Sequence, residues 1–281
     1  MIVGSATITP IFEVDAGQVI QEGLPDATPE SIKQIAWLRP AYADDNGKLK
    51  AQVQAFLIEA GDKKIVVDSC VGDSRNRPDM PEWSHLQTGF MERFKKVWQP
   101  EEVGIVLCTH MHFDHVGWNT TLVRGKWMPT FPNAKYIFTK REFTYWNSKP
   151  EKEMEVDRLG FAECVLPVYE AGLCELVSDD YQVTKEVSLL ATPGHTPGHV
   201  AVLVESSGQS AVISGDALYH PCQIAHPEWS TPWDTDTKRA NKSRRELLER
   251  FAGTSTLFIG AHFAEPVAGK LIKDAEGFKL V

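Results

Sequence analysis

The chain has 281 residues, of which 42% are hydrophobic, 24% charged and 10% aromatic, proportions that suit a globular protein large enough to bury a core without staples. A formal charge of -9, from 29 basic and 38 acidic residues, argues against a nucleic-acid binder, whose affinity leans on Lys and Arg neutralising phosphates. Five cysteines without a CxxC pair fit a reduced, cytoplasmic setting, and neither a signal core nor an apolar run able to span a bilayer is apparent, so no membrane partner is expected.

Residues 1 to 10 are apolar and β-branched, which predicts a first strand. From about 15 to 45 the chain is rich in Gly, Pro and acidic residues and poorly periodic, so a long loop is expected, with a short helix near Glu30 to Trp37. Val53 to Glu59 and Lys64 to Asp68 are strand-like and separated by Gly61-Asp62, a hairpin signal. Asp68 then opens a turn, where it can cap the turn or support a metal-ligating histidine. Trp83, Leu86, Phe90, Phe94 and Val97 follow helical spacing, predicting an amphipathic helix over 82–97 with His85 on its surface.

Gly104 to Cys108 is a buried strand that delivers the sequence Thr-His-Met-His-Phe-Asp-His-Val-Gly. Four metal-ligating side chains, His110, His112, Asp114 and His115, fall within six residues. Imidazole and carboxylate together suit zinc and its first-row neighbours. In an extended segment residues two apart share a side, so His110 and His112 can grip one ion while Asp114 and His115, at the turn, face a second.

A strand at Lys135 to Thr139, a helix from Lys140 to Asn147 and a solvated charged stretch from Lys149 to Arg158 follow. Strands are expected again at 188–191, 200–205, 210–214 and 256–259, with a helix at 237–251 preceded by Asp234 and Asp236 as caps. Strands and helices alternate in both halves, so an α/β fold forming one domain over 1–281 is expected. Three further elements place a ligand beside glycine just past a strand: Pro193-Gly194-His195, Ser214-Gly215-Asp216 and Gly260-Ala261-His262.

With HxHxDH, then His, Asp and His in order, the sequence resembles the metallo-β-lactamase superfamily from about Val53 to His262. The resemblance implies a four-layer αββα sandwich and two divalent ions, zinc in the first place, with Fe, Mn or Co as alternatives. It implies His110, His112 and His195 as ligands of one ion, Asp114, His115 and His262 as ligands of the other, and Asp216 as the bridge. A metal-bridging hydroxide would then attack a carbonyl or phosphoryl centre.

Within the superfamily, Asp216 speaks against the β-lactam hydrolases and His112 against the flavodiiron oxygen reductases. The sequence Asp216-Ala-Leu-Tyr219 resembles the acyl-homoserine lactonases, in which Tyr219 would assist catalysis alongside Asp114. Residues 223–236 and the ending Gly260-Ala-His-Phe-Ala-Glu-Pro look more like the methyl parathion hydrolase branch of phosphotriesterases, esterases and lactonases. A lactone or activated ester is therefore the expected small-molecule substrate. A phosphotriesterase, a glyoxalase II-like thioesterase, a mononuclear iron dioxygenase and a metal-binding sensor are the alternatives. Trp118, Met128, His220, Trp229 and Trp233 are candidate pocket residues, with plain packing as the competing role, and His199 is a structural candidate. A homodimer is a further expectation.

Overall fold

The computed structural model describes residues 1–275 and 277–281. The chain divides into two compact units, one made of Met1–Val14 and Val53–Asp179, the other of Asp15–Gln52 and Asp180–Val281.

The first unit carries β1 (Ile2–Val3), β2 (Ala6–Asp15), β3 (Gln52–Ala60), β4 (Lys63–Val67), β5 (Ile105–Leu107), β6 (Thr120–Val123), β7 (Lys126–Pro129), β8 (Lys135–Thr139) and β9 (Cys174–Val177). Seven of these form one sheet in the order β1-β2-β3-β4-β5-β8-β9, and β6 and β7 pair as a separate hairpin. β4, β5 and β8 run parallel in the register Val66 to Val106 to Tyr136, and these apolar strands are buried. Near-continuous apolar runs are what a strand covered on both faces requires. Because β4 and β5 are parallel neighbours, Asp68 and the His110 to His115 segment emerge at the same end of the sheet.

The second unit holds β10 (Val187–Ala191), β11 (Val200–Ser206), β12 (Gln209–Ile213), β13 (Leu257–Ile259), β14 (Ala268–Asp274) and β15 (Gly277–Leu280) in sequential order. β10 and β11 are antiparallel, as are β11 and β12, whereas β12 and β13 are parallel. β10, β12 and β13 therefore point the same way. His195, Asp216 and His262, each a few residues past one of these strands, gather at one end of that sheet.

Several expectations need correction. The segment 15–45 is not one long loop: it forms the helices Gly17–Gly23 and Pro29–Gln34 and a 3₁₀ turn at Ala36–Leu38. Thr28 caps the second helix by accepting from Ser31 N, with Pro29 in the first turn, a start signal that outweighs the weak periodicity. The expected helix over 82–97 is reduced to a 3₁₀ turn at Pro81–Trp83 and a helix at Phe90–Phe94. Ser84 to Gly89 lie between them outside any helix, with His85 at φ 53° and Gly89 at φ 69° in the left-handed region, and Val97 is exposed. Residues 149–158 are not uniformly solvated, since the helix Glu155–Gly160 buries Val156 and Asp157. The helices Lys140–Asn147 and Thr237–Phe251 match their expected bounds. Among the described residues no helix is long and apolar enough to cross a membrane.

Candidate metal centre

In the first unit, His110 and His112 face each other with Nε2 and Nδ1 3.1 Å apart, and the His110 and His115 rings lie 4.1 Å apart between centroids. The ligating atoms of His110 and His112, of His110 and His115, and of Asp114 and His115 each approach within 4.8 Å. All three imidazoles are buried, and Asp114 keeps a partly exposed carboxylate. Burying imidazoles this close is unfavourable if they are protonated, and neutral imidazole nitrogens converging beside a carboxylate are the donor set that a divalent ion takes.

Asp68 organises this set. Its Oδ1 accepts from Thr109 N at 2.7 Å and its Oδ2 from Thr109 Oγ1 at 2.9 Å. The same Oδ2 lies 2.9 Å from His115 Nδ1, which would leave Nε2 of that ring as the atom able to ligate an ion. Of the two roles open to Asp68 in the sequence, support of a histidine is the one its contacts favour.

The second unit presents His195, Asp216 and His262, all buried. Asp216 Oδ2 is 3.7 Å from His195 Nε2, and its Oδ1 is 3.1 Å from His262 Nε2, so one carboxylate spans the two rings. The backbone around each is tightly held. Thr235 N donates to His195 O and Asp236 N to Gly194 O, both at 2.9 Å, and Ser243 Oγ donates to Pro193 O at 2.6 Å. At Gly194, with φ 136°, a Cβ would stand 2.1 Å from Ala240 N, so the close approach of the helix Thr237–Phe251 to this turn needs glycine. His199 holds the neighbouring backbone: its Nε2 accepts from Asp216 N at 2.9 Å, and its Nδ1 lies 2.8 Å from Thr192 Oγ1. His262 Nδ1 is 3.1 Å from Gln52 O.

Tyr219 is buried between these ligands. Its hydroxyl is 3.0 Å from His195 Nδ1 and 3.3 Å from Nε2, and its ring stacks on His262 with 5.9 Å between centroids. Trp233, half-buried, packs on Tyr219 at 5.6 Å. Arg244 fixes the backbone of this segment from a fully buried position: Nε donates to Ala217 O, and Nη1 to Pro227 O and Trp229 O, at 2.7 to 2.9 Å.

The other candidate pocket residues have the following surroundings. Trp118 is inside the first unit, stacked on Phe90 at 5.6 Å and donating its indole N–H to Glu13 Oε1 at 2.6 Å. Met128 is exposed on the β6–β7 hairpin. His220 is fully buried, with Nε2 2.9 Å from Tyr42 O and Nδ1 accepting from Cys222 N at 3.0 Å, and burial pushes its pKa down to about 4. Trp229 stacks on His226 at 4.3 Å, and His85 is exposed but on no helix.

Three carboxylates that sequence reasoning did not single out as partners of the ligand segments belong to the site. Asp234 Oδ1 lies 3.2 Å from His195 Nδ1, Glu142 Oε1 accepts from Met111 N at 3.1 Å, and Asp157 Oδ1 accepts from Phe113 N at 3.1 Å. The apolar helical pattern around Glu142 and Val156 is the only sequence signal that could have placed the last two near the core.

Residues 50–262 match the family model of the metallo-beta-lactamase superfamily. An N-acyl homoserine lactonase of Bacillus cereus is 27% identical over 188 residues, covering 61% of this chain and 66% of that protein. A second, from Bacillus sp, is 30% identical over 123 residues, covering 43% and 41%. The chain thus aligns with less than two thirds of the length of these curated relatives. Among solved structures, the hydrolase AbOPH of the β-lactamase superfamily superposes with a TM-score of 0.79 at 22% identity, covering 100% of this chain and 95% of the other. AidC, a dizinc quorum-quenching lactonase in complex with a product, also gives 0.79 with the same coverage, at 17% identity. At these identities the structures attest the fold, mixed sheets with helices in an α/β sandwich. With the family model matched over residues 50–262, most of its length, this chain belongs to the metallo-β-lactamase superfamily.

Proposed function

We propose that the chain is a dinuclear metal-dependent hydrolase that opens a lactone ring, an N-acyl homoserine lactone being the first candidate. His110, His112, Asp114, His115, His195, Asp216 and His262 serve as metal ligands, with zinc the best match to the imidazole-carboxylate donor set. When bound, such ions activate water and polarise a carbonyl oxygen.

The observation that carries the lactone reading is Tyr219, three residues after Asp216, buried with its hydroxyl against His195 and its ring against His262. A phenol there can donate to a carbonyl oxygen as negative charge builds on it, and the surrounding burial strengthens that hydrogen bond. The lactonase relatives support the same reading.

The test is a hydrolysis screen of the zinc-loaded protein against γ- and δ-lactones with and without an N-acyl group, aryl esters, a γ-lactam, a phosphotriester and a thioester. The highest kcat/KM is expected on an N-acylated γ-lactone. A phosphotriester or thioester ranking first would replace the lactone reading, and one iron per chain in place of two zinc-like ions would replace hydrolysis.

A further inference from the structure

The residues that alternate with the ligands in the HxHxDH segment have their own set of partners. Thr109, Met111 and Phe113 each have a backbone N–H that ends on a buried carboxylate. The first is Asp68, already described. The second is Glu142 on the helix Lys140–Asn147, whose Oε1 accepts both from Met111 N at 3.1 Å and from Trp146 Nε1 at 2.7 Å. The third is Asp157 on the helix Glu155–Gly160, whose Oδ1 accepts from Phe113 N at 3.1 Å. Glu142 is 2% and Asp157 6% exposed. Two acids kept out of water are costly unless they are strongly hydrogen-bonded or face positive charge.

We infer that Glu142 and Asp157 are positioning residues that hold the ligand loop in its metal-binding shape before any ion arrives. The inference rests on the proposed metal centre. Without such partners, the two amides between His110 and His115 would compete for water or turn inward, and each peptide rotation would swing a neighbouring imidazole away. Trp146, fixed by Glu142 through its indole N–H, adds an edge contact to the His112 ring at 5.5 Å and so limits that ring's rotation. Two helices distant in sequence thereby set the orientation of His110 and His112 through carboxylates that accept from the loop's backbone amides. This differs from the direct carboxylate-to-imidazole contact that Asp68 makes with His115.

The experiment uses the full-length protein stripped of metal and titrated with zinc against a competing chelator, with circular dichroism confirming the fold of every variant. Glu142→Ala and Asp157→Ala are expected to weaken zinc binding about 10- to 100-fold, the range typical for lost outer partners of metal ligands. Glu142→Gln and Asp157→Asn, which keep the acceptor oxygen, are expected to recover most of the affinity. Alanine variants that fold and bind zinc like the parent would overturn the inference. So would amide variants no better than alanine, since charge and not position would then be the cause. Should the alanine variants not fold, hydrogen exchange on the metal-free parent decides the matter. Met111 and Phe113 amides are expected to be protected, and free exchange at both, with β5 protected, would overturn the inference. A parent that binds no zinc would instead overturn the metal centre itself.

Discussion

The hydroxyl of Tyr219 stands 3.0 Å from Nδ1 of His195, on the same imidazole that Asp234 approaches from 3.2 Å. In Tyr219→Phe the ring and its stacking on His262 remain, and only the donor is lost. Turnover of lactones is expected to fall about a hundredfold, a loss of ~3 kcal/mol of transition-state stabilisation. Metal content and fold should be unchanged. A phosphotriester with a good leaving group should be affected far less, because the metals suffice to polarise the phosphoryl oxygen. Paired kcat/KM values on both substrates check the difference.

Asp216 offers one oxygen towards each of two imidazoles, His195 at 3.7 Å and His262 at 3.1 Å. Asp216→Ala is therefore expected to reduce bound zinc from two ions per chain to one or none. Elemental analysis after gel filtration reads this directly, and two tightly held ions in the variant would refute the bridging role.

Gly23 lies under the Trp233 indole, where an added Cβ would come within 2.0 Å of Cη2. In Gly23→Ala the indole must move, and overpacking of this kind costs ~1–3 kcal/mol. Because Trp233 packs on Tyr219, KM for the lactone should rise as well. Urea unfolding and steady-state kinetics supply the two readouts. Repeating the change in a Trp233→Phe background should abolish most of both effects, since the colliding ring atoms are gone.

His220 links acid pH to stability. Burial holds its pKa down at about 4 from an ordinary value of 6.5. The unfolded chain therefore takes up the proton first as pH falls, and the contribution of His220 is complete above 6.5 and lost progressively down to about 4. A shift of this size corresponds to about 3 kcal/mol. Urea midpoints of metal-free parent and His220→Gln at pH 7.5 and 4.5 should show a steeper acid loss in the parent, because the variant lacks the titrating ring.

The metal motif was legible because its ligands are local: His110, His112, Asp114 and His115 arise from one strand end, and their side-chain types have few other reasons to cluster. Glycine one or two positions before His195, Asp216 and His262 marked the other candidate turns in the same way. The helix Thr237–Phe251 was legible to the residue because Asp236 caps it at Arg239 N and its apolar face repeats regularly. The stretch 82–97 misled because helical spacing of Trp83, Phe90 and Phe94 survives while the backbone leaves the helix between Ser84 and Gly89. Supporting groups were the least legible. Asp234 meets His195 across 39 positions, and Asp157 meets Phe113 across 44, and nothing local in either segment announces such a partner.

Each unit is stitched from two separated stretches, so the order of synthesis differs from the order of assembly. Residues 53–179 and the opening 14 residues together supply the whole of the first unit. Residues 15–52 cannot do likewise. Tyr42 donates its hydroxyl to Pro266 O at 2.6 Å, and Gln52 N donates to His262 O at 3.0 Å, partners made more than 200 positions later. Until then the helices at 17–23 and 29–34 present Ile20 and Ile32, both buried in the finished protein, to solvent or to a chaperone. A nascent chain halted near residue 180 should thus be a folded first unit carrying a sticky internal loop.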